Sequence, residues 1–387
     1  MPNWLIPDNF ADILPRQART LEKMRRDCLD LFAAHGFELV QPPLVEFVES
    51  LLTGSGSDLD NNTFKFMDQK GGKMIGLRAD MTPQAARIDA HILNLPGVCR
   101  LCYAGSCLHA RPMHPLASRE PVVAGAELFG ASGLEADAEV MRLAVKSLRK
   151  LGIKTVHIDI GHTAVLRALL DGLSLTDERL HALVRALRMK DPVALDAAAV
   201  DFDETTRRGL QTLARYFGDE SVLDILEREL PHKPAIIDAL EEVRTLSKLC
   251  GADEVSFDSC DVHGYQYLTG ITFSVNIPQY AQAVLRGGRY DGVGLAFGRS
   301  RPACGFTIYL RALAGVPELE EPALPEAIIA AGPVEPEFES YVERMRDEGY
   351  TVVRLLPGEK AEDVAHQFRV THELVRTPEG IELVARN

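Results

Sequence analysis

The chain has 387 residues, 46% of them hydrophobic, and a formal net charge of -14 at pH 7, which is material for a large core divided over two or three domains. The negative surface argues against a nucleic-acid partner, because phosphates demand many clustered Lys and Arg side chains. No apolar run approaches the roughly 20 residues of a membrane-spanning helix, and Met1-Pro2-Asn3-Trp4 opens no basic-then-apolar leader, so the expectation is a cytoplasmic chain that does not engage a membrane.

Leu21, Met24, Cys28, Leu31 and Phe32 fall at helical spacing, which predicts an amphipathic helix over 15–34 stopped by Gly36. Residues 37–40 read as a short strand closed by Pro42-Pro43, since proline continues neither a helix nor a central strand. Segments 64–67 and 74–77, joined by a turn with Gly71-Gly72, predict a β-hairpin. A second hairpin pairs 99–108 with 122–129, and helical spacing resumes from Met141 to Gly152. Residues 155–160 alternate as a half-buried strand, and 163–251 is almost wholly helical in its apolar spacing, which marks a helical insertion. Strands return at 267–275 and 282–285, followed by a strand-to-helix passage over 304–313. A Pro- and Glu-rich linker over 316–325 precedes a small α/β domain at 326–387, in which strand, helix and strand form a βαβ unit before two more short strands. The fold class expected is α+β: a core over 1–315 with an antiparallel sheet flanked by helices, then the linker and the C-terminal domain.

The seven cysteines are odd in number and mostly set in apolar stretches, as suits buried reduced thiols rather than a disulfide framework. Cys99, Cys102 and Cys107 lie near His109 and His114, residue types that build zinc sites. A strand across 98–108 points residues three apart to opposite faces, so no metal is expected. The stretch Arg286-Gly287-Gly288-Arg289-Tyr290-Asp291-Gly292 reads as a glycine loop where backbone can approach a small ligand. Singly, such a loop is most often a plain turn, and the strand ends at 77–82 and 262–270 are equally uninformative alone.

Their joint order and spacing resemble the class II aminoacyl-tRNA synthetases, and within them histidyl-tRNA synthetase, over nearly all of residues 1–315. Gly36-Phe37, Gln41-Pro42-Pro43 and Glu46 resemble motif 1, which in that family builds a dimer interface. Tyr103-Ala104-Gly105, Arg119-Glu120 and Gly125-Ala126-Glu127 resemble motif 2. Residues 263–270 and 286–292 resemble the two histidyl signature peptides, and 305–313 stands where motif 3 belongs.

The resemblance also locates departures. That family activates histidine on ATP with arginines that stabilise phosphoryl charge. Here His109, His263 and Ala312 stand at three such positions, Arg111 replaces the motif 2 acid, and Tyr309 replaces the motif 3 glycine. The resemblance therefore implies no catalytic residues and no cofactor. A new acid–base pair from the two histidines would lack an evident nucleophile or orienting carboxylate.

The amino-acid pocket is partly kept. Asp80 and Thr82 match the family's ammonium binders, Glu127 matches the carboxylate that meets the imidazole, and Tyr267, Arg289 and Tyr290 complete the candidates for binding histidine. Val123 and Leu268 stand where a Gln and a Tyr are usual. The C-terminal domain is shorter than the family's anticodon-binding domain and carries few clustered basic residues.

A synthetase fold without its activating arginines resembles the regulatory subunits of ATP phosphoribosyltransferase in histidine biosynthesis. The resemblance implies a short-form catalytic subunit as partner, self-association as a dimer through the motif 1 region, and L-histidine as effector. A working histidyl-tRNA synthetase and a free-standing module that senses histidine or tRNA remain as alternatives at this point.

Overall fold

A computed structural model describes residues 4–52, 57–262, 264–265, 267–316, 319 and 323–386. The chain divides into two compact units, Met1–Glu320 and Glu321–Asn387. Among the described residues the first unit is built on an eight-stranded sheet in the order Glu38–Leu39, Cys99–Ser106, Val122–Phe129, Ala303–Tyr309, Tyr280–Arg289, Ile271–Ile277, His157–His162, Glu254–Phe257. The pairings within this sheet are antiparallel except at its two margins, where Glu38 pairs with Leu101 and His157 with Glu254 in parallel. Helices flank the sheet, so the architecture is the α+β one that the sequence patterns predict.

Strand alternation splits this sheet into two chemically different faces. Cys102, Ala124, Ala126, Leu128, Phe306 and Ile308 point one way and join the main core. The Pro15–Ala34 helix meets them with Met24, Cys28 and Phe32, and the Leu134–Lys150 helix adds Met141, Leu143 and Leu148. Leu101, Tyr103, Val123 and Ala303 point the other way, into a smaller cluster with Met81, Leu268 and Tyr290. Cys102 thus belongs to one face and Cys99 and Cys107 to the other. Among the described residues no group of three or more His, Cys, Asp or Glu could hold a metal ion.

Between the strands His157–His162 and Glu254–Phe257 the chain makes helices from Thr163–Leu170 through Pro234–Leu249. Their starts are chemically marked: Thr176, Asp191 and Asp203 accept from backbone N–H groups at the heads of the following helices, at 3.3, 3.0 and 3.0 Å. The residues at the start of the second signature are not a loop as their glycines suggest. Arg286, Gly287, Gly288 and Arg289 lie inside the strand Tyr280–Arg289, where a side chain at Gly287 would overlap the Phe273 ring and one at Gly288 would come within 2.7 Å of the Ile271 carbonyl. These glycines serve close packing within the sheet.

A separate three-stranded antiparallel sheet sets Met74–Leu77 between Val45–Phe47 and Phe64–Met67. In the second unit, Val352–Arg354, Glu326–Ala331, Arg369–Thr377 and Gly380–Ala385 form a sheet in that order. The Pro336–Asp347 helix packs Phe338, Val342 and Met345 with Ile328, Ala330 and Leu374 of those strands. No helix among the described residues is long and apolar enough to cross a membrane.

Candidate functional site

The second face of the large sheet floors a cavity of about 300 Å³. Its floor follows from register. Glu127 lies opposite Gly305, Gly305 opposite Gly288, and Gly288 opposite Thr272, so all four point to the same side. Two residues along, the row reads Tyr103, Gly125, Thr307, Arg286 and Ser274. The glycines in these rows leave the sheet bare where neighbouring side chains need room. The Tyr103 ring lies across Gly125, and the Glu127 carboxylate lies over Gly305, where a methyl group would overlap it. The walls come from the Ala79–Thr82 stretch, the tip of the second hairpin with His109 and Met113, and the insertion helix Asp177–Arg188 with Leu180 and Val184.

Glu127 is buried and surrounded by hydroxyls. Its Oε1 accepts from the Tyr103 hydroxyl at 2.8 Å and from Thr82 Oγ1 at 2.9 Å, and its Oε2 accepts from the Tyr290 hydroxyl. These donors favour the ionised form, but burial outweighs them and, with Asp80 nearby, pushes the carboxyl up to about 8. Burial likewise raises the hydroxyls of Tyr103 and Tyr290 far above the usual phenol range, and that of Tyr309 to about 12. The Glu127 carboxyl is thus the most readily ionised of these four groups.

Asp80 is placed by its neighbours. Its Oδ1 accepts from the Thr82 backbone N–H at 3.1 Å, which turns the chain into the Thr82–Arg87 helix. Buried Arg78 anchors the same stretch by donating to the carbonyls of Pro42 and Ser106, both at 2.8 Å. His109 adds a third tie, with Nε2 3.1 Å from the Ala79 carbonyl. A ring nitrogen that meets a carbonyl carries the proton, so Nδ1 is a bare acceptor, and it is buried without a partner among the described residues. Burial also holds the His109 imidazole below its ordinary range. His109 is thus a neutral group on the cavity wall and supplies none of the permanent charge an arginine would.

Of the residues that the sequence nominates, Asp80, Thr82, Glu127, Tyr267 and Tyr290 line this one cavity, as do Val123 and Leu268. Tyr267 is held by its ring lying against Gly264, a residue with φ of +71° that a side chain would both strain and crowd. Arg289 does not join them. Strand alternation turns it to the opposite side from Arg286 and Gly288, where Nε donates to Asp137 Oδ2 at 3.1 Å and Nη1 to Asp291 at 3.0 Å. It is a buried structural pair. Ala312 lies in the short helix Leu310–Leu313, outside the lining, while its neighbour Arg311 reaches the carbonyls of Ala11 and Glu120 at 2.7 and 3.0 Å. His263 lies outside the described residues.

Tyr103, Thr307 and Arg286 are site residues that sequence reasoning did not nominate as binders. Tyr103 was identifiable in principle, since it sits two residues from Leu101 and from Gly105 on one strand face. Thr307 and Arg286 become visible only once Ala303–Tyr309 is known to run between Val122–Phe129 and Tyr280–Arg289. Arg119, within the motif 2 resemblance, is structural: its guanidinium lies 5.0 and 4.8 Å from the Phe10 and Phe64 ring centres, and Nε donates to the His109 carbonyl at 3.1 Å.

Comparison with known proteins places this geometry. The family model described as Histidyl-tRNA synthetase matches residues 9–313. An ATP phosphoribosyltransferase regulatory subunit from Janthinobacterium sp. is 46% identical over 358 residues, covering 92% of this chain and 93% of that protein. One of the same name from Cupriavidus necator is 44% identical over 384 residues, 99% of each chain. Among solved structures, an ATP phosphoribosyltransferase regulatory subunit/histidyl-tRNA synthetase from Bacillus halodurans superposes with a TM-score of 0.81 at 23% identity, over 97% of this chain and 99% of that one. Histidyl-tRNA synthetase from Nostoc sp. superposes with a TM-score of 0.74 at 17% identity, over 99% and 97% of the two chains. The two structures speak to the fold, and the two relatives resolve the branch: the chain has the histidyl-tRNA synthetase fold and belongs to the family of ATP phosphoribosyltransferase regulatory subunits.

Proposed function

We propose that this chain serves as the regulatory subunit of an ATP phosphoribosyltransferase in histidine biosynthesis, that it has no catalytic activity of its own, and that it binds L-histidine in the cavity around Glu127. The observation that carries this reading is a contrast between two parts of one synthetase-like site. The acid–hydroxyl cluster is assembled, with Tyr103, Glu127 and Tyr290 buried and Asp80 and Thr82 half-buried beside them, whereas neutral His109 and Ala312 stand where the resemblance expects arginines that stabilise phosphoryl charge. Loss of one preorganised transition-state donor typically costs about 3 kcal/mol, and losses at several positions leave amino-acid adenylation without its electrostatic support.

Feedback then follows from linkage. Histidine inhibits if it binds the low-activity state of the complex more tightly than the active one, and by reciprocity the catalytic subunit's state alters histidine affinity. The net charge of -14 disfavours tRNA as a ligand. Self-association is supported by the three-stranded sheet, which leaves Val45, Phe47 and Phe66 exposed on one face, an apolar grouping of the kind that marks interfaces.

The test mixes the full chain with a short-form ATP phosphoribosyltransferase from the same genome. Complex formation, a rise in transferase activity and histidine inhibition of the mixture are expected. No complex and no activation would overturn the proposal, and histidine-dependent exchange of pyrophosphate into ATP by this chain alone would identify a working synthetase instead.

A further inference from the structure

We infer that Arg286 is the carboxylate anchor of the cavity, the residue that reads the negative end of a bound amino-acid zwitterion. The inference rests on the amino-acid reading of the site proposed above. It adds the contact which that reading lacks: Asp80 and Glu127 account for the ligand's N–H groups, and neither can meet its carboxylate.

Arg286 pairs across the sheet with Thr307 on one side and Ser274 on the other, and Thr307 Oγ1 lies 3.0 Å from the Tyr103 hydroxyl that serves Glu127. Arg286 therefore projects from the same face as the acid cluster, and it lines the same cavity. Its strand is two places from the Glu127 strand, which at about 4.8 Å per place sets the two charged groups across roughly 10 Å of sheet. Gly305 and Gly288 continue the Glu127 row toward the Arg286 strand without side chains of their own, and Thr307 stands on the strand between. An amino acid of histidine's length lies across this floor with its N–H groups toward Asp80 and Glu127 and its carboxylate toward Arg286.

The guanidinium of Arg286 is braced but not consumed. Its Nη1 stands 3.3 Å from both oxygens of Asp261, a looser arrangement than the Arg289–Asp137 pair with its 2.8 Å contact. Its Nε is buried and has no partner among the described residues, and a buried N–H of a guanidinium carries a desolvation penalty unless an acceptor arrives. Asp261 also accepts from Ser274 Oγ at 3.0 Å, which holds the brace against the sheet. A guanidinium so oriented presents the fork that a carboxylate fits. The other arginine on the cavity lining, Arg188, ends an insertion helix and is exposed, so it offers a charge without the rigid strand behind it.

The experiment separates this role from the reading beneath it. Calorimetric titrations of the full chain compare L-histidine with histamine, which keeps the imidazole and the ammonium but lacks the carboxylate. The wild-type chain is expected to prefer histidine. Arg286→Met should lower histidine affinity roughly 10- to 100-fold while leaving histamine affinity as it was, so that the preference disappears. Should that variant fail to fold, Arg286→Gln carries the same comparison. A preference that survives in the variant, or an equal loss of both ligands, overturns the anchor role while the pocket reading stands. No binding of histidine to the wild-type chain overturns the amino-acid reading itself.

Discussion

The hydroxyl of Tyr103 donates to Glu127 Oε1 across 2.8 Å, and even with the hydroxyls of Thr82 and Tyr290 also pointed at this carboxylate, burial holds the group up at about 8. Its unfolded-state value is near 4.5, so between these two values the unfolded chain gives up a proton that the native chain keeps. The contribution of Glu127 to stability is therefore fully present below the lower value and is lost as pH rises toward 8. Relative to Glu127→Gln, which cannot ionise, the wild-type chain should lose on the order of a few kcal/mol between pH 5 and pH 8.5. Urea unfolding of both proteins across that interval measures this directly, and parallel pH profiles would show that Glu127 is already ionised at pH 5.

Asp137 and Arg289 form a pair inside the first unit, with side chains only 5% and 10% exposed. Arg289→Ala strands the Asp137 charge in the interior and should destabilise the chain by about 3–5 kcal/mol, whereas Asp137→Ala leaves Arg289 its contact with the half-exposed Asp291 and should cost less. The double variant Asp137→Leu/Arg289→Met should recover a good part of that loss, because no buried charge is then left unpaired and Asp291 is open to water. Chemical denaturation of the three variants tests the cycle. Single variants of wild-type stability would mean that the pair is open to water.

The difference between Arg286 and Arg289 shows where sequence reading stops. Both flank the same glycine pair, and by sequence alone Arg289 is as good a ligand for histidine as Arg286. Period-two alternation sends them to opposite faces, and nothing local says which face holds the cavity, since that depends on the strands alongside. The helices and hairpins were legible because their signals are local: the 15–34 periodicity ends as the helix Pro15–Ala34, and Gly71-Gly72 lies between the paired strands Phe64–Met67 and Met74–Leu77. Asp80, Thr82 and Glu127 were legible through resemblance to a spaced pattern. Tyr103, Thr307 and the tie from Arg78 to Pro42 join residues far apart in the chain, and only the assembled sheet brings them together.

Phe47 and Phe66 are 47% and 42% exposed on the three-stranded sheet. If this sheet is the self-association surface, a charge placed there must be desolvated when two copies meet, which opposes binding strongly. Phe66→Glu should convert a dimer to a monomer at micromolar protein without altering the helical circular dichroism. Sedimentation velocity reads the outcome, and a dimer that persists in both Phe66→Glu and Phe47→Glu places the interface elsewhere.

Gly305 tests the floor of the cavity without replacing any charged side chain. A methyl group there would overlap Glu127 Oε2 and approach the Ala126 carbonyl to 2.7 Å. The carboxylate can move only by giving up its contacts with Tyr103, Thr82 and Tyr290, because the surrounding strands are hydrogen-bonded on both sides. Gly305→Ala should therefore cost about 1–3 kcal/mol of stability, in the range of overpacked cores, and should weaken histidine binding beyond what the lost stability explains. Gly292→Ala is the control, since a methyl group at that position meets nothing within 4 Å. Both variants are compared by thermal unfolding and by histidine titration. Equal behaviour of the two would mean that Glu127 has room to retreat, and the bare glycine floor would then lose its role in shaping the pocket.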